Sequence, residues 1–323
     1  MFIALLFGAV LTMPSQQMKD YLQTYPQKPL TQYLAIQDEL VESSQRIRLE
    51  WHYLGFQAAV MANQFDKASE LAQLLSSPQW SGVTPPSRFS MAGDLGVFFR
   101  RMGYLDLAEG ALLCALERDY SLEHMLNLSV VYRHSQRTEE ALYYLDKASF
   151  SPHTPKYQTY INLGYGRVYE ELGLFNQAVL MFRAAYESLM DSSDNSLRKF
   201  KAGLNLLDAL IHLEAWDQFE HYMPDIQLLS LDVDEDEYLG VFQWQKTVFE
   251  QARGRFVSAL DKHALLEWAG RIKSEQFHLE VYAKALNVNL KNKDFRGRTP
   301  APLQWRLFWY QMQSRWCTRS VII

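Results

Sequence analysis

Residues 163–188 read LGYGRVYEELGLFNQAVLMFRAAYES, and the spacing within this stretch decides the fold. Gly166 and Tyr169 lie three positions apart, so they share one face of a first helix. Gly173 follows as a residue that tolerates positive φ, which suits a helix C-terminus. The intervals of a second helix then separate four residues, Phe175, Ala178, Phe182 and Ala185. The stretch therefore predicts a helical hairpin whose small residues let the two backbones approach closely.

The same pattern recurs along most of the chain, with a small residue, an apolar or aromatic residue, a turn residue and an alanine at fixed intervals. Two further copies keep every interval: one comprises Gly96, Phe99, Gly103, Leu105, Ala108, Leu112 and Ala115, and the other comprises Ser129, Tyr132, Gln136, Thr138, Ala141, Leu145 and Ala148. Looser copies are anchored at Phe56, Leu207 and Thr247, and Leu286 is predicted to open a seventh unit. Self-similarity at this period predicts a solenoid, because a single hairpin cannot bury its apolar face alone.

These positions resemble the tetratricopeptide repeat (TPR), a helix–turn–helix unit of about 34 residues. The resemblance extends over residues 18–295, is best defined over 89–190, and accounts for about six to seven units. It implies an all-α, right-handed superhelical solenoid of TPR-like helix–turn–helix repeats. Arrays with such long periods are common in bacterial signalling proteins, so the resemblance implies an interaction scaffold and not an enzyme.

The resemblance also implies that the first helix of each unit lines a concave groove that holds a protein or peptide partner. The aligned positions give six basic candidates for partner binding: Arg100, Arg101, Arg133, His134, Arg167 and Lys201. Further along the same face come Glu170, Glu171, Asp208 and His212. A basic centre beside an acidic region would suit an extended peptide with an acidic portion, and a merely solvated polar face is the alternative. The family's carboxylate clamp is not expected, because Tyr53 and Gln57 occupy its Lys and Asn positions.

Composition and motifs exclude several classes of function. The 323 residues carry a net charge of −5, which argues against nucleic acid as a partner. The eight histidines are scattered without metal-ligand spacing, and the sequence contains no phosphate-binding loop or nucleophile elbow. We therefore expect no metal, no cofactor and no catalytic residues.

Two cysteines, Cys114 and Cys317, stand far apart in the sequence. Cys114 lies beside Ala115 on a packed second helix, which favours a small buried core residue. A pair at this separation does not indicate a disulfide framework, and it neither requires nor excludes an oxidising compartment.

The N-terminal segment, residues 1–17, begins with an apolar run of the length of a signal-peptide core. No basic residue precedes the run, since the first is Lys19, and no clear cleavage site follows it. Export, with a periplasmic location, is the main interpretation. A first helix packed on the array of a cytoplasmic protein and a truncated membrane anchor are the alternatives.

The C-terminal segment, residues 296–323, differs in composition from everything before it. It contains no Asp, Glu or Lys but has five arginines and three tryptophans, Trp305, Trp309 and Trp316. Three interpretations stay open: a shifted reading frame near residue 295, a basic aromatic tail that docks on a membrane, and a capping helix packed through Leu303, Leu307 and Tyr310. Membrane association would therefore run through the N-terminal segment or this tail.

The function expected from these observations is that of a non-catalytic protein–protein interaction scaffold. Its most specific form is the extracytoplasmic TPR-like sensor region of a truncated bacterial signalling protein. The alternatives are a stand-alone TPR adaptor for assembly of an envelope or secretion complex, and the cytoplasmic regulatory array of a transcription activator.

Overall fold

A computed structural model describes residues 13–24, 26–80, 88–117, 120–272, 278–290 and 300–317. Most of the predicted signal peptide and the predicted frame change near residue 295 therefore lie outside the described residues. The described part of the chain contains helices and no strand. None of its helices has the length and apolar character needed to cross a bilayer.

Sixteen α-helices are assigned within the described residues. In chain order they are α1 (Gln16–Thr24), α2 (Gln27–Ile36), α3 (Gln45–Met61), α4 (Phe65–Leu75), α5 (Arg88–Arg101), α6 (Leu105–Leu116), α7 (Leu122–His134), α8 (Thr138–Phe150), α9 (Pro155–Glu171), α10 (Phe175–Met190), α11 (Ser196–His212), α12 (Trp216–Leu229), α13 (Asp236–Ala252), α14 (Ala259–Arg271), α15 (Leu279–Ala285) and α16 (Leu303–Trp316). The chain divides into two compact units, which are described separately. The first unit comprises Met1–Val131 and Arg298–Ile323, and the second comprises Tyr132–Gly297.

Within the described residues, a residue with positive φ follows the first helix of six hairpins and also follows α15. The seven positions are Asn63, Gly103, Gln136, Gly173, Glu214, Gly254 and Asn287. Their intervals match the spacing of the sequence pattern up to Gly254. This conformation reverses the chain after a helix; it suits glycine best and asparagine next, and it is strained for other residues. The repeat is therefore visible in the backbone as a recurring left-handed turn.

The register predicted for the seventh unit is wrong. Leu286 was expected to anchor its first helix, yet α15 ends at Ala285 and Leu286 is its buried C-cap residue. Asn287 makes the turn, so the charged Glu280 occupies the anchor position. The anchor position is apolar or small in the other units. Because Glu280 is charged, the sequence pattern did not identify it as the anchor of the seventh unit.

Close packing within each hairpin depends on the small residues of the pattern. A Cβ at Gly96 would lie 2.5 Å from Cγ of Leu112, and a Cβ at Gly166 would collide with the ring of Phe182. The repeat positions Phe99, Ala108, Tyr132, Ala141, Ala178 and Phe182 are buried. Tyr169 and Phe175 are half-buried. Tyr132 stacks on Tyr144 with ring centroids 5.5 Å apart.

The C-terminal helix packs on the first unit through its tryptophans. Trp305 contacts the rings of Phe98 and Phe99 edge-on, and Trp309 lies against Phe99 and Gly110. The face predicted to form a cap is the wrong one, since Leu303, Leu307 and Tyr310 are all exposed. The indole rings of Trp305 and Trp309 pack against the phenylalanine rings, and the opposite face of α16, which carries the leucines, is exposed to solvent.

A disulfide joins Cys114 of α6 to Cys317, immediately after α16. Cys114 is buried, as expected, but it is not the free core residue that the sequence indicated. The two cysteines are 203 positions apart in the sequence, so the sequence did not indicate that their Cα atoms lie 5.3 Å apart.

Helix α11 is the centre of the second unit. All residues from 202 to 211 are buried, and the helix contacts α10, α12 and α13. Most of these residues are apolar, but Asn205 and Asp208 are not. Their burial requires polar partners from neighbouring helices, because an unpaired polar group in a protein interior is costly.

Candidate functional site: a buried polar cluster of the second unit

The predicted groove cations of the first unit make contacts within the protein. Arg101 donates from Nη1 to the carbonyl oxygen of Val60, at 3.1 Å, and to Oδ1 of Asn63, at 2.8 Å. It therefore ties α5 to the turn of the preceding hairpin. Arg100 is half-buried at the end of the same helix.

Four residues on the first helices of the second unit keep polar groups near the surface. Arg133 forms an ion pair with Glu171 at 2.5 Å, and its guanidinium also lies 3.1 Å from Nε2 of the exposed His134. The ammonium of Lys201 lies 4.0 Å from the ring centroid of Tyr238. Each of these side chains keeps some solvent access and also has a partner within the protein.

Arg167 does not lie on an open groove surface. It is 8% exposed, and its guanidinium donates to Oε2 of Glu170, at 2.6 Å, and to Oδ1 of Asn205. The prediction of a groove-facing cation was wrong here because the guanidinium is buried against Glu170 of the same helix and Asn205 of α11. Arg167 instead belongs to a buried polar cluster.

Asp208 is the most deeply buried member of this cluster, with no exposed surface. One carboxylate oxygen accepts a hydrogen bond from the hydroxyl of Tyr282, and the other lies 3.2 Å from Nδ1 of His278. Gln245 extends the network by donating to the Tyr282 oxygen, at 2.9 Å, and to the Leu204 carbonyl, at 3.0 Å. Tyr282 of α15 and the adjacent His278 thus contact the Asp208 carboxylate directly, and Gln245 of α13 is linked to it through Tyr282.

His212 lies on the same side of α11, one turn beyond Asp208. Its ring stacks on Phe175 with centroids 4.2 Å apart and meets the ring of His278 edge-on at 4.7 Å. Two atoms of the cluster, Nε2 of His212 and Oε1 of Glu170, are buried without a hydrogen-bond partner among the described residues. The cluster therefore has unused coordinating capacity.

Charge is distributed unevenly over the cluster. Burial acts to raise the pKa of Asp208, but the hydrogen bond and charge of His278, aided by Arg167, hold that pKa below its usual range. The same hydrogen bond raises the pKa of His278. Burial lowers the pKa of His212, and burial raises the pKa of Glu170 to about 7 against the effect of Arg167. An ionised Asp208 beside a readily protonated His278 is the resulting arrangement.

The sequence placed half of this cluster on one face and missed the other half. Arg167, Glu170, Asp208 and His212 follow from the repeat spacing. His278 and Tyr282 lie 70 and 74 positions after Asp208, two hairpins further along the chain. Only the corrected register of the seventh unit would have placed them on a first helix that faces α11.

The fold and cluster define an all-helical protein whose consecutive helices pack in the manner of helical repeats, as far as the described residues extend. No protein-family model and no curated protein matches the sequence. Among solved structures, BtubC (BKLC) from P. vanneervenii is similar with a TM-score of 0.46 and 12% identity, over 68% of this chain and 92% of that chain. The apo form of RapI is similar with a TM-score of 0.40 and 14% identity, over 84% of this chain and 94% of that chain.

Proposed function

We propose that the chain is a non-catalytic protein-interaction scaffold, a right-handed superhelical solenoid of TPR-like hairpins. The observation that carries the proposal is the recurrence of six left-handed turns from Asn63 to Gly254, each between two consecutive helices. Stacked hairpins present an extended surface that can hold a protein or peptide. An extended surface suits binding better than it suits catalysis, which needs converging groups in a water-excluding pocket.

The partner surface that we propose comprises the C-terminal ends of α7 and α9 in the second unit, together with Lys201 in the first half of α11. Arg133, His134 and Lys201 supply basic or titratable groups there, and Glu171 supplies an acid. Arg100 and Arg101 are the corresponding side chains of α5 in the first unit. A protein segment with an acidic portion would complement the basic members, and nucleic acid is not the proposed partner.

We further propose that the chain is the extracytoplasmic sensor region of a bacterial signalling protein. The disulfide between Cys114 and Cys317 supports this location, because structural disulfides persist in oxidising compartments. The apolar run at the start of residues 1–17 supports it as an export signal.

A charge swap tests the partner surface without breaking its ion pair. The double substitution Arg133→Glu with Glu171→Arg keeps both charges but moves each to the neighbouring helix. Combined with Lys201→Glu, it should weaken capture by a photo-crosslinking residue placed at His134 in the native host. The matched control is Arg253→Glu. Arg253 is the C-cap residue of α13 and forms an exposed ion pair with Asp217. Equal adduct yields in the swap and the control would refute the basic surface.

A fusion experiment tests the location. Residues 1–17 placed ahead of a reporter that is active only outside the cytoplasm should give active reporter. Replacement of the apolar residues Leu5 and Leu6 by Asp should abolish this activity. Activity that is absent before the substitution would contradict export.

A further inference from the structure

We propose that Asp208, His212 and His278 bind a divalent transition-metal ion, with Zn²⁺ as the best fit, a property that goes beyond the proposed scaffold function. Each residue offers one coordinating atom, and the three atoms lie within 4.8 Å of one another. The donors are two imidazole nitrogens and one carboxylate oxygen. Zinc accepts this donor set in sites that keep a fourth position open.

The separations between these atoms fit a site that needs little rearrangement. Nδ1 of His278 and Oδ2 of Asp208 lie 3.2 Å apart. Two ligands of a tetrahedral zinc ion are separated by about 3.3 Å, given bonds of about 2.0 Å. The third ligand must approach by about 1.5 Å, which a rotation of one side chain can supply. We assign the third ligand to Nε2 of His212, which is buried and has no hydrogen-bond partner among the described residues.

Residues around the three donors hold them in place. Tyr282 fixes one oxygen of Asp208 and is itself fixed by Gln245, so the other oxygen is directed towards His278. The ring of Phe175 holds the imidazole of His212 by stacking on it. Outer-shell contacts of this kind orient metal ligands and tune their affinity.

An ion could reach this site from solvent, although Asp208 is fully buried. The side chain of His278 is 34% exposed and forms the outer wall. With three protein ligands, a fourth coordination position would remain for water. Because a bound ion would join α11 to α15, we expect it to couple two hairpins that are not consecutive.

Isothermal titration calorimetry tests the proposal. The chain of 323 residues is first treated with a chelator to remove bound metal and is then titrated with zinc chloride. We expect one ion per chain. His212→Gln and His278→Gln should each weaken binding on the order of a hundredfold, and Tyr282→Phe should weaken it about tenfold to a hundredfold. The matched control is His263→Gln, which removes a surface histidine that is 72% exposed and paired with Glu267; it should leave binding unchanged.

Cobalt provides an independent readout. Co²⁺ added to the stripped protein should give the visible absorption bands of a tetrahedral site, and these should disappear in His212→Gln but not in His263→Gln. The helical circular dichroism signal shows whether each variant is folded. If a histidine variant is not folded, the zinc affinity of Tyr282→Phe tests the site in its place. Absent binding, binding that survives loss of both His212 and His278, or binding that depends on His263 would each overturn the assignment.

Discussion

The hydroxyl of Tyr282 on α15 donates a hydrogen bond to the carboxylate of Asp208 on α11, 74 positions earlier in the chain. The two residues belong to units that are not consecutive, because the hairpin that begins with α13 lies between them in the sequence. Repeat arrays are usually described by contacts between nearest neighbours alone. Here a buried interaction between second neighbours should make α11 and α15 unfold as one cooperative segment.

Tyr282→Phe should lower the unfolding free energy of the second unit by about 1.5–3 kcal/mol, because it removes a hydrogen bond to a buried charge. Denaturant unfolding followed by hydrogen exchange measures the loss, and amides of α11 and α15 should be deprotected together. Tyr143→Phe, at an exposed ring of α8, is the control and should change little. Deprotection of α15 alone would show that the segment is not cooperative.

Gly166→Ala and Gly173→Ala should both destabilise the second unit, but for different reasons. At Gly173, with φ of +72°, a Cβ would meet no atom within 4 Å, so backbone strain of about 1 kcal/mol is the whole cost. At Gly166 the Cβ would overlap the ring of Phe182, with an overpacking cost of about 1–3 kcal/mol.

A double-mutant cycle separates the two causes. The smaller side chain of Phe182→Leu should recover part of the loss in Gly166→Ala and none of the loss in Gly173→Ala. Gln136→Gly, at an equivalent turn with φ of +58°, should have the opposite sign and stabilise the fold. Equal rescue of both alanine variants would contradict the assignment.

The pH dependence of stability should contain a contribution from Glu170. Its pKa rises from an ordinary value of 4.5 to about 7 on folding, so the folded state binds the proton more tightly. The stabilisation from this proton is present below pH 4.5 and is lost as the pH rises to about 7, by up to about 3 kcal/mol. Glu170→Gln should flatten unfolding free energy over this window in metal-free buffer. Glu171→Gln, one residue on and exposed, should not flatten it.

Cys317→Ser should lower the stability of the first unit by about 2–5 kcal/mol, since it opens a loop of 203 residues. Hydrogen exchange should accelerate in α5 and α6, which α16 covers. Treating the unsubstituted protein with a reductant should reproduce the effect, and α11 in the second unit serves as the internal reference. Equal acceleration in α11 and α5 would contradict a local role for the disulfide.

Local intervals in the sequence carried most of the information about the hairpins. Gly103, Gln136 and Gly173 could be placed at turns because small and apolar residues recur at set distances on either side. The nature of the residue at the turn mattered less, as Gln136 and Glu214 show by adopting the same left-handed conformation as glycine. Hairpin geometry is a short-range property, and a single chain suffices to read it.

Contacts between distant segments could not be read in this way. The pairings of Cys114 with Cys317 and of Asp208 with His278 depend on how several hairpins stack, and small rotations add up over each of them. Arg167 could be assigned to the correct face but not to a buried environment. Whether a polar face is solvated or enclosed is decided by the approach of α9 and α15 to α11, which no local pattern encodes.

Packing of Trp305 and Trp309 on Phe98 and Phe99 has a consequence for biosynthesis. The ribosome completes α5 about two hundred residues before it adds the indoles that cover this helix. Until then, the two phenylalanine rings lack the cover that α16 gives them in the finished protein. Released chains that stop before residue 303 should therefore bind chaperones that the released chain of 323 residues no longer needs.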